Sequence, residues 1–322
     1  MASTSSETTS PAFVEKWHTG PDEINFYTRT YSTAGSPKAV VLFLHGFQEH
    51  VARYESIHIK YPLRGITLFS FDQRGFGRTA LDQHNKSSGS SYGKTSWQWQ
   101  LGDIEYFVKH LKEEYPGVPL FLMGHSMGGG LVLAFATRTT PPPSPETVKS
   151  LSGIIASSPF ILHSNPPNKL LRFVGEKLCH VAPYASFPAD VPADDLSRDP
   201  KAREAARNDP LIKRYGSLRI LSDMFNGGEG LVATSHRYWP KDLPVSFIHG
   251  TADRVTSPKA TEDFYNKIPA QDKTISLIEG GYHELSNEID DIPERLFEEC
   301  ASFVERVIAS SKNANGNAEA KL

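Results

Sequence analysis

Pro119-Leu120-Phe121-Leu122-Met123-Gly124-His125-Ser126-Met127-Gly128-Gly129 is the stretch whose reading decides the fold of this chain. An apolar run stops at Gly124, and a helix-like run, Gly129 to Ala136, begins directly after it, so Ser126 falls on a strand-to-helix elbow. Glycines two before and two after the serine keep Cβ atoms out of a strained turn, which presents the hydroxyl above the sheet. The helix start behind Ser126 leaves backbone N–H groups unpaired, and their partial positive charge can stabilise a developing oxyanion. An ordinary Gly-rich turn shares the motif. The strand before it and the helix after it favour a nucleophile.

Outward from this elbow, short apolar or β-branched runs alternate with helical segments, the pattern of a mostly parallel sheet covered on both faces. Strands are predicted at Ile24 to Tyr31, Ala39 to Leu44, Ile66 to Phe71, Leu120 to Met123, Gly153 to Ser157, Val245 to His249 and Thr274 to Glu279. Helices are predicted at Ser96 to Tyr115, Gly129 to Thr139, Pro258 to Lys267 and Pro293 to Ser311. The polar loop Asn85 to Gly93 and the proline-rich connector Pro141 to Pro145 interrupt the alternation. Residues 13–158 and 244–311 are expected to form the core, and residues 159–243, which show no clear strand, an inserted cap. Within that insertion Leu170, Val174, Leu178 and Val181 share one helical face, with Leu171 and Phe173 beside it. Core packing and a lid that touches lipid with its outer face both fit this pattern. The polar ends, 1–12 and 312–322, are expected to be disordered tails.

A chain of 322 residues that is 39% hydrophobic can bury a large core, so unrelated additional domains are unnecessary. A net charge of -3 argues against nucleic acid as a partner, since phosphate-backbone binding needs clustered Lys and Arg. Cys179 and Cys300 are too few for a disulfide framework and lack metal-ligand spacing, which favours a reducing compartment and no metal. Met1 to Pro11 has neither a basic region nor an apolar core, and no run is long enough to cross a bilayer. The expectation is a soluble, cytoplasmic protein with peripheral membrane contact left open.

A serine hydroxyl is a poor nucleophile near neutral pH, so an imidazole must take its proton and a carboxylate must orient that imidazole. The order expected after this elbow is serine, acid, histidine. His249-Gly250-Thr251-Ala252-Asp253 follows the strand starting at Val245, and Gly280-Gly281-Tyr282-His283 follows the next strand, so Asp253 and His283 should emerge at the same sheet edge as Ser126. His249, still within its strand, and Asp263, on an exposed helix, are the reserve choices. The two oxyanion donors are expected from the amides of Met127 and of Phe47, the latter in the loop after Ala39 to Leu44. Asp72-Gln73-Arg74-Gly75-Phe76-Gly77-Arg78 lacks the third glycine of a dinucleotide site and reads as a structural turn.

With these residues placed, the chain resembles the monoacylglycerol lipases, serine hydrolases of the α/β-hydrolase fold, from about Lys38 to Val307. His45-Gly46-Phe47-Gln48-Glu49-His50 with Arg53-Tyr54 is similar to that family's oxyanion-loop motif, and Gly124 to Gly129 to its nucleophile motif. Phe71-Asp72-Gln73-Arg74-Gly75 looks most like the fungal members. Ser157-Ser158-Pro159 and Asn208 to Ile212 resemble cap landmarks, and Gly250 to Arg254 and Glu279 to His283 the acid and histidine loops. The resemblance implies an α/β-hydrolase fold with a helical cap, a Ser126, Asp253 and His283 triad, oxyanion amides at Phe47 and Met127, and no cofactor. It implies hydrolysis of monoacylglycerols and related lipid esters to glycerol and fatty acid, with contact at membranes or lipid droplets. Glu49, Arg53 and Tyr54 match positions that shape the glycerol end, although an ion pair that only holds the loop explains Glu49 and Arg53 as well. Lys213 and Thr256 stand where mammalian members carry cysteines, and Ala206 where they carry a cap tyrosine. A broader carboxylesterase or lysophospholipase on the same fold, and a non-catalytic binding protein of that fold, are the alternatives.

Overall fold

A computed structural model describes residues 12–319; the expected N-terminal tail, up to residue 11, and residues 320–322 lie outside the described residues. Ten strands are described: β1 Val14–Thr19, β2 Asn25–Tyr31, β3 Ala39–Leu44, β4 Ile66–Phe71, β5 Leu120–His125, β6 Gly153–Ser157, β7 Ser186–Pro188, β8 Tyr215–Ser217, β9 Val245–Gly250 and β10 Lys273–Ile278. Eight of them form one sheet in the order β1-β2-β4-β3-β5-β6-β9-β10. Only the pairs β1·β2 and β2·β4 in this sheet are antiparallel. The expected α/β class with a mostly parallel sheet is thus present.

Strand alternation explains why the sheet is covered on both faces. In β3, Val40, Leu42 and Leu44 join the core on one face, while Ala39, Val41 and Phe43 join the core on the other. Helices Trp97–Glu114, Met127–Thr137 and Pro258–Lys267 supply the first layer, and the helix starting at Ile292 supplies Leu296, Phe297, Cys300 and Val304 to the second.

Some boundaries differ from the sequence expectations, each for a physical reason. Strand β1 was not predicted: it is an edge strand with a largely exposed, charged sequence, so it carries no apolar alternation. The helix predicted from Gly129 begins at Met127, because tertiary packing and not propensity places the three glycines there. A Cβ on Gly128 would overlap the carbonyl of Leu44. The C-terminal helix continues to Glu319 through residues expected to be a disordered tail, since extending a nucleated helix needs only one new bond per residue.

Residues 159–243 leave the sheet after β6 and return at β9. They carry the helices Lys169–Val181, Pro200–Asn208 and Leu218–Ala233 and, against expectation, the antiparallel pair β7·β8. Strands of three residues are too short to leave a periodic signal. The apolar face of Lys169–Val181 does not pack into the core: Leu170 is 70% exposed and Val181 85%. No helix among the described residues is long and apolar enough to cross a membrane.

Candidate active site

The site lies where β3, β5, β9 and β10 end. Gly250 at the end of β9 is in register with Ile278 at the end of β10, so the loops carrying Asp253 and His283 leave the sheet side by side. At the end of β5, Ser126 has φ 54° and ψ −118°, a left-handed conformation that costs a residue with a Cβ roughly 1–3 kcal/mol. Surrounding bonds hold it there. Its N–H donates to Ser157 at 3.0 Å, and its carbonyl accepts from Gly130 at 2.9 Å and Phe160 at 2.8 Å. The elbow tolerates no side chain at Gly124, where a Cβ would run into the Gly128 backbone.

Three side chains distant in sequence meet here. The Ser126 hydroxyl donates to His283 Nε2 at 2.9 Å, and His283 Nδ1–H donates to Asp253 Oδ2 at 2.7 Å. Asp253 Oδ1 accepts the amides of Val255 at 2.7 Å and Thr256 at 2.9 Å. Its Oδ2 also lies 3.0 Å from His249 Nε2 and 2.8 Å from the Thr256 hydroxyl. His249, the reserve histidine, is therefore a second donor to the carboxylate oxygen that holds His283, and His283 is the one that bonds Ser126. Asp263 lies on the partly exposed helix Pro258–Lys267 and pairs with Lys259 at 2.7 Å. Thr256 is buried between Asp253 and the Ser158 carbonyl, 3.0 Å from its hydroxyl.

The electrostatics suit proton transfer. Burial opposes the charge on Asp253, but the His283 charge and hydrogen bonds from His249 and His283 hold its carboxyl well below the usual range. Burial likewise lowers the His283 pKa, yet the Asp253 charge and hydrogen bond outweigh it, and the pKa lies above the ordinary 6.5. An imidazole so placed accepts a proton more readily than a free one.

The loop after β3 closes on the serine: a Cβ on Gly46 would come within 3.1 Å of the Ser126 Cβ. Among the described residues, neither the Phe47 nor the Met127 amide donates to a protein acceptor. Glu49, Arg53 and Tyr54 form a buried knot beside them. Glu49 accepts from the Gly46 amide at 2.8 Å, the Tyr54 hydroxyl at 2.5 Å and Arg53 Nε at 3.3 Å. Arg53 also binds both carboxylate oxygens of Glu284 at 2.6 Å. Burial and the Glu284 charge push the Glu49 carboxyl up, whereas Arg53 overcomes the burial of Glu284 and pulls its carboxyl down. Glu284 was not singled out from the sequence, since only its partner 231 residues away reveals it.

Above the serine lies a cavity of about 660 Å³. Ser126, His283 and Glu49 line it together with Leu171, Phe173, Leu218 and Phe225 of the insertion. Ala206 lines it too, while Arg53 and Tyr54 act behind Glu49. Lys213 is not among the residues that line it; its backbone amide donates to the Tyr92 hydroxyl at 3.0 Å.

The chain is similar to known proteins over most of its length. The family described as "Serine aminopeptidase, S33" matches residues 35–290. A putative monoglyceride lipase of Schizosaccharomyces pombe is 34% identical over 81% of this chain, which spans 66% of that relative's length. The monoglyceride lipase of Saccharomyces cerevisiae is 31% identical over 83% of this chain and 84% of its own. The crystal structure of a soluble variant of monoglyceride lipase from Saccharomyces cerevisiae, in complex with a substrate analog, superposes with a TM-score of 0.79 at 28% identity. The match covers 94% of this chain and 97% of the other.

Proposed function

Because this chain belongs to the monoglyceride lipase family of serine hydrolases, we propose that it cleaves monoacylglycerols to glycerol and free fatty acid. The observation that carries this reading is the unbroken hydrogen-bonded chain Ser126–His283–Asp253 beneath an apolar cavity. In the first half-reaction, Ser126 Oγ attacks the ester carbonyl carbon while His283 Nε2 takes its proton. The carbonyl oxygen becomes an oxyanion between the Phe47 and Met127 amides. Collapse of this intermediate breaks the ester C–O bond, His283 protonates the departing glycerol oxygen, and the acyl group stays on Ser126. Water then attacks the acyl-enzyme, with His283 again taking a proton, and the fatty acid leaves as Ser126 regains its hydrogen.

The mixed lining of the cavity suits such a substrate. Apolar side chains of the insertion cover the acyl chain, and Glu49, which lines the cavity, meets the hydroxyls of the glycerol end. Arg53 and Tyr54 hold Glu49 in place and do not line that cavity themselves. Purified protein should hydrolyse monooleoylglycerol with a higher kcat/KM than lysophosphatidylcholine or short p-nitrophenyl esters. A preference for either of the latter makes it a lysophospholipase or a broad carboxylesterase.

A second reading concerns location. The exposed face formed by Leu170, Val174, Leu178 and Val181 suits contact with a membrane or lipid-droplet surface, where monoacylglycerols reside. Both thiols, Cys179 and Cys300, are free, in keeping with a reducing cytoplasm. Co-flotation with liposomes tests the lipid contact.

A further inference from the structure

The loop that carries the Phe47 amide is held from two sides, by the core and by the insertion. The Phe47 ring packs on Gly216 of β8, where an added Cβ would approach it to 2.8 Å. His50 Nε2 lies 2.8 Å from Asp209 Oδ2. Between these two contacts Gln48, 4% exposed, directs its side-chain amide at the β7·β8 pair. Its Nε2 donates to the carbonyl of Ala189, just past β7, at 2.6 Å and to that of Tyr215, in β8, at 3.2 Å. The amide has a hydrogen for each. The Gln48 carbonyl in turn accepts from the Tyr92 hydroxyl at 3.1 Å.

The backbone of Gln48 makes this arrangement informative. Its φ is 65°, a left-handed conformation that glycine adopts freely and that a residue with a Cβ adopts at a cost. A glycine here would relax the turn but would lose both bonds to the insertion. On the other side of Phe47, the Gly46 amide is fixed by Glu49 Oε2 at 2.8 Å, so the peptide between Gly46 and Phe47 is stretched between two anchors. One anchor belongs to the core loop and the other to the insertion.

We infer that Gln48 is a positioning residue that ties the insertion to the oxyanion-binding amide of Phe47, so that the placement of β7·β8 sets the aim of that donor. The inference rests on the role proposed for Phe47. The insertion then does more than cover the acyl chain: any movement that draws β7·β8 away also slackens the oxyanion site, and turnover is coupled to the seating of the insertion.

The test compares the wild type with Gln48→Gly, which deletes the amide and relaxes the backbone, and Gln48→Met, which keeps the length without the donor. Readouts are kcat and KM on soluble monobutyrin, affinity for an alkyl trifluoromethyl ketone, and affinity for its unreactive alcohol. The ketone places an oxyanion between the amides when Ser126 adds to it; the alcohol does not. Both variants should lose roughly tenfold in kcat and in ketone affinity, with KM and alcohol affinity held within about twofold. Wild-type kcat and ketone affinity in both variants would overturn the inference, as would equal losses of ketone and alcohol affinity, the mark of a merely distorted cavity. Should Gln48→Gly not fold, Gln48→Met decides. Should the wild type form no ketone adduct on Ser126, the reading of the site itself falls, a distinct outcome.

Discussion

The end of β5 and the helix Lys169–Val181 treat apolar side chains in opposite ways. Every residue of β5 is buried, and Ser126 at its tip is locked by bonds to Ser157, Gly130 and Phe160. The helix displays Leu170, Val174, Leu178 and Val181 to solvent and touches the rest of the protein mainly through the helix Leu218–Ala233, where Arg172 pairs with Glu229. Chemistry that depends on placing three groups within a fraction of an ångström is built on the rigid region. The lipid contact proposed above needs area more than geometry, and it falls on the exposed one.

Replacing Ser126 strikes the rigid region hardest. Ser126→Ala should reduce kcat by about 10⁵-fold with an unchanged melting temperature, since the nucleophile is lost and the core is not. Hydrolysis near the wild-type rate would place the nucleophile elsewhere. Asp253→Asn comes next, with an expected loss of about 10³-fold or more, because the imidazole loses its orienting charge. This variant also sharpens the electrostatic argument. The Asp253 charge raises the His283 pKa, and the base must be unprotonated to act, so the acid limb of kcat/KM in the wild type should lie above pH 6.5. Below that limb the rate should fall roughly tenfold per pH unit. In Asp253→Asn the limb should shift to lower pH; a shift the other way breaks the account.

The exposed region predicts a milder and differently shaped effect. Leu170→Asp combined with Val181→Asp alters neither the cavity nor the triad, so hydrolysis of monobutyrin should stay within about twofold of wild type. Co-flotation with liposomes should drop severalfold, as charge is added to the apolar face. Equal flotation of variant and wild type removes that helix from lipid contact.

How much of this was legible beforehand depends on the range of the interactions involved. Strands β3, β4 and β6 were read to the residue, because a buried strand announces itself in a handful of consecutive side chains. The elbow was legible for the same reason, and the order serine, acid, histidine located Asp253 and His283. The start of the following helix was not, since three glycines there answer to the neighbouring Leu44 carbonyl and not to helix propensity. Gln48 stands inside a visible motif, but the partner of its side chain is Ala189, 141 residues away. His249, a reserve choice because it lies in a strand, sits at a strand end beside a tight loop that brings its ring to Asp253. The insertion's helix was legible as an apolar face, whereas whether that face turned inward or outward was decided by contacts that no local pattern records.

The most direct measurement is reaction of the folded protein with an alkyl fluorophosphonate, read by peptide mass spectrometry. One adduct per chain on Ser126, formed far more slowly in His283→Ala, is the predicted result. An unlabelled Ser126 in folded protein, or labelling that does not respond to the loss of His283, would contradict the claim that these side chains act as one unit.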